Sequence, residues 1–143
     1  MSSNLNERIV KVILPNMLGY ERIAMASLAS FARMYDYPPK RIEDLKTVVS
    51  EAAINAMQHG NKGRPDAVVT IHIKFKEGAI QILVMDEGDG IKEVLPKPNI
   101  ERSINELDPP IKLGVFLIQE LTDEVEFHTD TNKGHCLRMV VKK

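Results

Sequence analysis

Residues 67–86 constrain the fold more than any other stretch. "AVVTIHIKF" and "AIQILVMD" are rich in apolar and β-branched residues, and only "KEG" separates them. Two such runs joined by a short glycine-containing link read as a β-hairpin. "RIVKVILP" (Arg8–Pro15) alternates apolar and polar residues and ends on a proline, as a half-buried strand does. A sheet with one apolar face needs a second layer to cover it.

The segments between and after these strands supply that layer. The apolar spacing predicts a first helix over about Leu18–Met34, with Ile23, Ala26, Ala29 and Ala32 on one side, before "YDYPP" breaks it. A second helix runs from Pro39 or Lys40 to His59, with proline in its first turn and Gly60 at its end. "GNKGRPD" then reads as a loop. Beyond the hairpin, Glu87–Lys112 holds four prolines and two glycines, which predicts a long loop with at most a short helix near Asn99–Leu107. A short helix from Gly114 to about Thr122, a strand "EVEFHT", a turn "DTNKG" and a last strand "CLRMVV" close the chain. The expected class is α+β, a two-layer α/β sandwich with helices on one face of a mixed sheet. No repeat or linker divides it, so residues 1–143 read as one domain.

Composition excludes several functions. With 143 residues and 43% hydrophobics the chain can bury a core without staples. Its net charge of -1, with lysines scattered, argues against direct nucleic-acid binding. Cys136 is the only cysteine, so neither a disulfide framework nor a cysteine metal cluster is expected. No apolar signal segment opens the chain, and the longest uncharged apolar-leaning run, Ile23–Ala32, is too short to span a bilayer. The expectation is a cytoplasmic protein without a membrane partner.

"SEAAINAMQHG" (Ser50–Gly60) carries the first chemical signal. Glu51, Asn55 and His59 recur every four residues, which sets them on one stripe of the second helix. That stripe borders the apolar arc of Ile42, Leu45, Val49, Ala52 and Ala56, so the polar groups sit at the rim of the core, where a pocket forms. Ordinary solvated residues on an amphipathic helix explain the same pattern. "VMDEGDGI" places Asp86 at a strand end, able to accept a hydrogen bond from an exocyclic amine, followed by Gly88 and Gly90, which let a flat ring approach the backbone. A structural glycine turn is the plain alternative. In "KLGVFLIQEL", Gly114 at a helix start offers free N–H groups to phosphate, or merely ends a loop.

Together, in this order and spacing, the three pieces resemble the Bergerat-type ATP-binding fold shared by type II topoisomerases, the large heat-shock chaperone, mismatch-repair ATPases and histidine kinases. Nearly the whole chain is similar to the anti-sigma-factor serine/threonine kinases of bacterial partner-switching systems. "TVVSEAAINAMQHG" matches their Asn-containing helix, "MDEGDGI" their first glycine box and "LGVFLIQELTDEVEF" their second. The resemblance implies ATP and Mg²⁺ as cofactors. It implies that Glu51 takes a proton from the target serine, that Asn55 holds Mg²⁺, and that Asp86 reads the adenine amine between Gly88 and Gly90. The segment from about Lys92 to Leu113 would be a lid over the phosphates. The implied partners are an anti-sigma-factor antagonist protein, which is phosphorylated, and a sigma factor, which is bound.

Two departures from the family stand out. Lys112 occupies a position usually held by glycine in the second box, leaving Gly114 alone and an ammonium beside the phosphate seat. His135 follows Gly134 where a threonine commonly supports the adenine site. His59 contacts phosphate or simply complements the helix dipole. Arg22 resembles an arginine such kinases turn toward protein partners, or is simply solvated. Cys136 reads as an inert thiol in the last strand. The rivals are a catalytically silent ATP-binding partner-switch module and an orphan histidine-kinase-type catalytic domain. Glu51 favours the kinase, because a pure binder has no use for a base. An exposed N-terminal edge strand would also be covered if two copies paired as a homodimer.

Overall fold

The structure, a computed structural model, describes residues 8–88, 109–130 and 134–143. The elements run β1 (Val10–Pro15), α1 (Glu21–Met34), α2 (Pro39–Asn55), β2 (Val68–Lys76), β3 (Ala79–Met85), α3 (Pro109–Leu121), β4 (Glu124–Asp130) and β5 (Gly134–Lys142). A π turn over Ala56–Gly60 continues α2. The expected short helix at Asn99–Leu107 and most of the expected lid lie outside the described residues.

Five strands form one sheet in the order β1-β2-β3-β5-β4. Period-two alternation does what it predicts. Val69, Ile71 and Ile73 of β2, Ile80, Ile82 and Val84 of β3, and Met139 and Val141 of β5 are buried on one face. They stand opposite one another as Ile71↔Val84, Ile73↔Ile82 and Ile82↔Met139, the cross-strand contacts that stabilise a sheet. Leu28 of α1, Leu45, Val48 and Val49 of α2, and Ile118 of α3 complete the core.

Two expectations need correction. The sheet is antiparallel throughout rather than mixed. The crossover through α3 makes β3 and β4 run the same way, but β5 turns back from β4 and inserts between them, splitting the parallel pair. On α1, Ile23 and Ala26 face outward, whereas Ala24, Leu28, Phe31 and Ala32 are buried, so its apolar arc is rotated from the expected one.

The "YDYPP" break is tied into the sheet. The Tyr37 hydroxyl accepts the Ile80 N–H at 2.8 Å and donates to the Val141 carbonyl at 2.5 Å, bridging β3 and β5 from inside. Four residues on, Arg41 donates to the Leu121 carbonyl at 3.1 Å, to the Lys142 carbonyl at 2.9 Å and to Asp123 at 2.8 Å. One side chain at the start of α2 thus fixes the end of α3 and the end of β5. That fixes α3 along α2, where the polar stripe lies.

Candidate functional site

α2 holds Glu51 and Asn55 half-buried, as its rim position requires. Both face Gly114 of α3. A Cβ built on Gly114 would lie 2.7 Å from Glu51 Oε2 and 3.4 Å from Asn55 Nδ2. The absence of a side chain at Gly114 leaves the ends of Glu51 and Asn55 room against α3, where a Cβ would make the Glu51 carboxylate move aside. Gly114 is not the first residue of its helix: α3 begins five residues earlier, at Pro109. The tandem prolines that read as loop in the sequence occupy the first turn, where proline's missing N–H costs no hydrogen bond. Lys112 therefore lies within the helix rather than at a loop hinge, and its side chain is outside the described part.

Asp86 follows β3 and is buried, 8% exposed. Its Oδ1 accepts the Gly88 N–H at 2.8 Å and the His135 N–H at 3.0 Å, while the His135 imidazole Nδ1 lies 2.9 Å from Oδ1 and 3.1 Å from Oδ2. The Asp86 N–H donates in turn to the His135 carbonyl at 3.0 Å. Gly60, the last residue of the π turn, lies directly against the carboxylate. Gly88 and Gly134 have φ of +65° and +93°, and a Cβ on Gly134 would come within 2.3 Å of the Asp86 carbonyl oxygen. Gly90 lies outside the described residues. Burial first, and then the Asp86 charge, push the Cys136 thiol up from its ordinary value, which keeps it protonated and inert.

A network the sequence gives no sign of fixes this turn. Asn61, fully buried, donates to the Val68 carbonyl at 2.9 Å and accepts the Glu87 N–H at 2.7 Å. Asn16 donates to the Met57 carbonyl at 3.2 Å and the Arg64 carbonyl at 2.9 Å. Arg64 donates to the Gly88 carbonyl, and the Glu87 carboxylate accepts the Val68 N–H at 2.7 Å. "GNKGRPD" is thus a brace that holds the backbone on both sides of Asp86.

Glu51 and Gly60 are nine residues apart on one helix and its π turn, about 13 Å along the axis. The Asp86 carboxylate marks one end of this line, and the Glu51–Asn55–Gly114 cluster marks the other. One end thus offers an acceptor carboxylate, and the other a carboxylate beside a neutral amide. His59 is exposed on the π turn, and Arg22 is exposed at the start of α1 beside the exposed Ile23. No helix among the described residues is long and apolar enough to cross a membrane.

Comparison with known proteins places the whole fold in a family. The family model described as histidine kinase-like ATPase domain matches residues 14–141. An anti-sigma F factor of Geobacillus stearothermophilus is 31% identical over 122 residues, 80% of this chain and 78% of that protein. An anti-sigma F factor of Halalkalibacterium halodurans is 33% identical over 114 residues, 74% of this chain and 73% of its own length. Among solved structures, a chain in the crystal structure of the SiaB–SiaC complex from Pseudomonas aeruginosa superposes with a TM-score of 0.71. It covers 97% of this chain and 93% of that one at 18% identity, a likeness of fold.

Proposed function

Since the chain belongs to the histidine kinase-like ATPase family and groups there with anti-sigma factors, we propose that it is an ATP-dependent protein serine/threonine kinase of a cytoplasmic partner switch. Its substrate is an anti-sigma-factor antagonist protein, and its other partner is a sigma factor. The observation that carries this reading is the convergence of Glu51 and Asn55 on the space cleared by Gly114, on the same helix whose far end packs on Asp86.

Asp86 accepts the exocyclic amine of adenine, with Gly88 and Gly90 flanking the base and Lys112 and Gly114 toward the phosphates. The triphosphate runs along α2 to Asn55. A hard cation prefers a few oxygen donors completed by phosphate and water; the Asn55 amide, whose Nδ2 faces the cleared space, would hold Mg²⁺ through its oxygen once the amide is turned over. When bound, Mg²⁺ neutralises phosphate charge. Glu51 takes the proton of the incoming serine hydroxyl. The serine oxygen bonds to the γ-phosphorus as the bond to the bridging β,γ-oxygen breaks, leaving ADP. Arg22 and the exposed His59 are offered to the protein partners and the phosphates respectively. A homodimer through β1, the edge strand among the described residues, is part of the same reading, because Val10 and Ile13 of that strand expose apolar surface.

The test is transfer of labelled γ-phosphate from Mg²⁺-ATP to a small co-encoded antagonist protein with a sheet-and-helix fold. Label on a serine or threonine of that protein supports the kinase. Tight ATP binding with no transfer identifies a silent switch module instead.

A further inference from the structure

We infer that His135 is a specificity-determining residue of the base site, making recognition there conditional on an exocyclic amine. The inference rests on the nucleotide site proposed above and concerns a side chain that departs from the family pattern.

Three donors converge on Asp86 Oδ1, the N–H groups of Gly88 and His135 and the imidazole Nδ1. A carboxylate oxygen has two lone pairs, so Oδ1 has no capacity left for a ligand. Oδ2 receives the longer arm of the imidazole fork, at 3.1 Å, and Gly60 packs against it, so one of its lone pairs is left without a donor among the described residues. It is the oxygen with a lone pair to offer. The imidazole is itself held. Its ring stacks on Phe127 with centroids 5.7 Å apart and planes 27° from parallel, and the backbone of His135 exchanges hydrogen bonds with Asp86 in both directions.

The chemistry of that clamp is one-sided. Nδ1 facing a carboxylate carries its proton in the neutral tautomer and in the imidazolium alike, so it donates in either state. A donor fixed on both oxygens of Asp86 restrains the carboxyl torsion, which is otherwise broad. A threonine hydroxyl both donates and accepts, and it turns to suit a rotated carboxyl. With histidine, the site presents a fixed acceptor. An amine satisfies it. An exocyclic oxo group at the same place sets acceptor against acceptor, which is how sites that read a donor reject its replacement.

The experiment is titration calorimetry of the full chain with Mg²⁺-ATP and with Mg²⁺-ITP, whose oxo group replaces the amine. His135→Ala, His135→Asn and Asp86→Asn are compared with the parent chain. The expected result is that His135→Ala weakens ATP about tenfold and ITP less than about threefold, so that the ATP/ITP preference falls. His135→Asn, which returns an N–H donor near the Nδ1 position, restores most of the preference. If His135→Ala fails to fold by circular dichroism, the preference of His135→Asn against the parent and against His135→Thr carries the test, with threonine the less selective. Equal weakening of both nucleotides, an unchanged preference or tighter ATP overturns the inference. Asp86→Asn separates the two levels. Unchanged ATP affinity in that variant removes the base site itself, whereas weakened ATP with an unchanged preference in His135→Ala removes the role of His135 alone.

Discussion

Gly60 and Asp86 are packed so closely that a Cβ on Gly60 would lie 1.9 Å from the Asp86 carboxylate oxygen Oδ2. No side chain fits there while the carboxylate holds its four hydrogen-bond contacts with Gly88 and His135. Gly60→Ala must shift either the π turn or Asp86. The expected outcome is a loss of about 1–3 kcal/mol of stability, the range for overpacking, together with an ATP affinity lowered by roughly tenfold or more. Urea unfolding and calorimetry on the same preparation check it. Full ATP affinity in a stable Gly60→Ala chain would show that Asp86 does not touch the base.

Glu51→Gln keeps the size of the side chain and removes only its basicity. As the proposed base, its loss lowers transfer to the antagonist by roughly 10²-fold or more while Mg²⁺-ATP binding is nearly unchanged. Single-turnover transfer set beside equilibrium binding separates the two. A parallel loss of both would make Glu51 a structural partner of Gly114.

Much of this site is legible before any coordinates, for a physical reason. Glu51 and Asn55 are related by helical period, and Asp86 by its place at the end of an alternating strand, so short-range geometry alone positions them. The hairpin is legible for the same reason, its register following from a short link. Asn61, Arg64 and the special role of Gly60 depend on partners 24 to 26 residues away in chain, Gly88, Glu87 and Asp86, and no local pattern encodes such a pairing. The start of α3 was hidden by Pro109 and Pro110, residues that serve a loop and a first helical turn equally well. The insertion of β5 between β3 and β4 is a choice among topologies that strand patterning does not make.

The apolar surface around β1 yields a test of self-association. Ile13, 65% exposed, lies on the edge strand, and Met17, Leu18 and Ile23 farther along the chain are exposed as well. If two copies pair there, Ile13→Lys places two ammonium groups in the contact and shifts the chain toward monomer at a given concentration. Sedimentation equilibrium checks it. A parent chain that sediments as a monomer, or a variant that associates as the parent does, removes the β1 homodimer.

Tyr37 yields the last prediction, on stability. Its hydroxyl is inserted between β3 and β5, accepting from Ile80 and donating to Val141, so Tyr37→Phe leaves a buried N–H and a buried carbonyl without that partner. The expected cost is about 1–3 kcal/mol at pH 8. Burial, the largest influence, raises the Tyr37 phenol above its ordinary value, although the Ile80 hydrogen bond and the Arg41 charge oppose the rise. The sign of the pH dependence follows. Above about pH 10 the phenol of the unfolded chain releases its proton while the folded chain retains it, so unfolding is favoured as pH rises. The stability contributed by the hydroxyl is complete below that pH and is lost above it. Tyr37→Phe has no such proton to lose, so the gap between parent and variant, read from urea midpoints, is widest at pH 8 and narrows at pH 11. A gap that stays constant or widens at high pH would mean that the hydroxyl of Tyr37 reaches solvent and does not bridge the two strands.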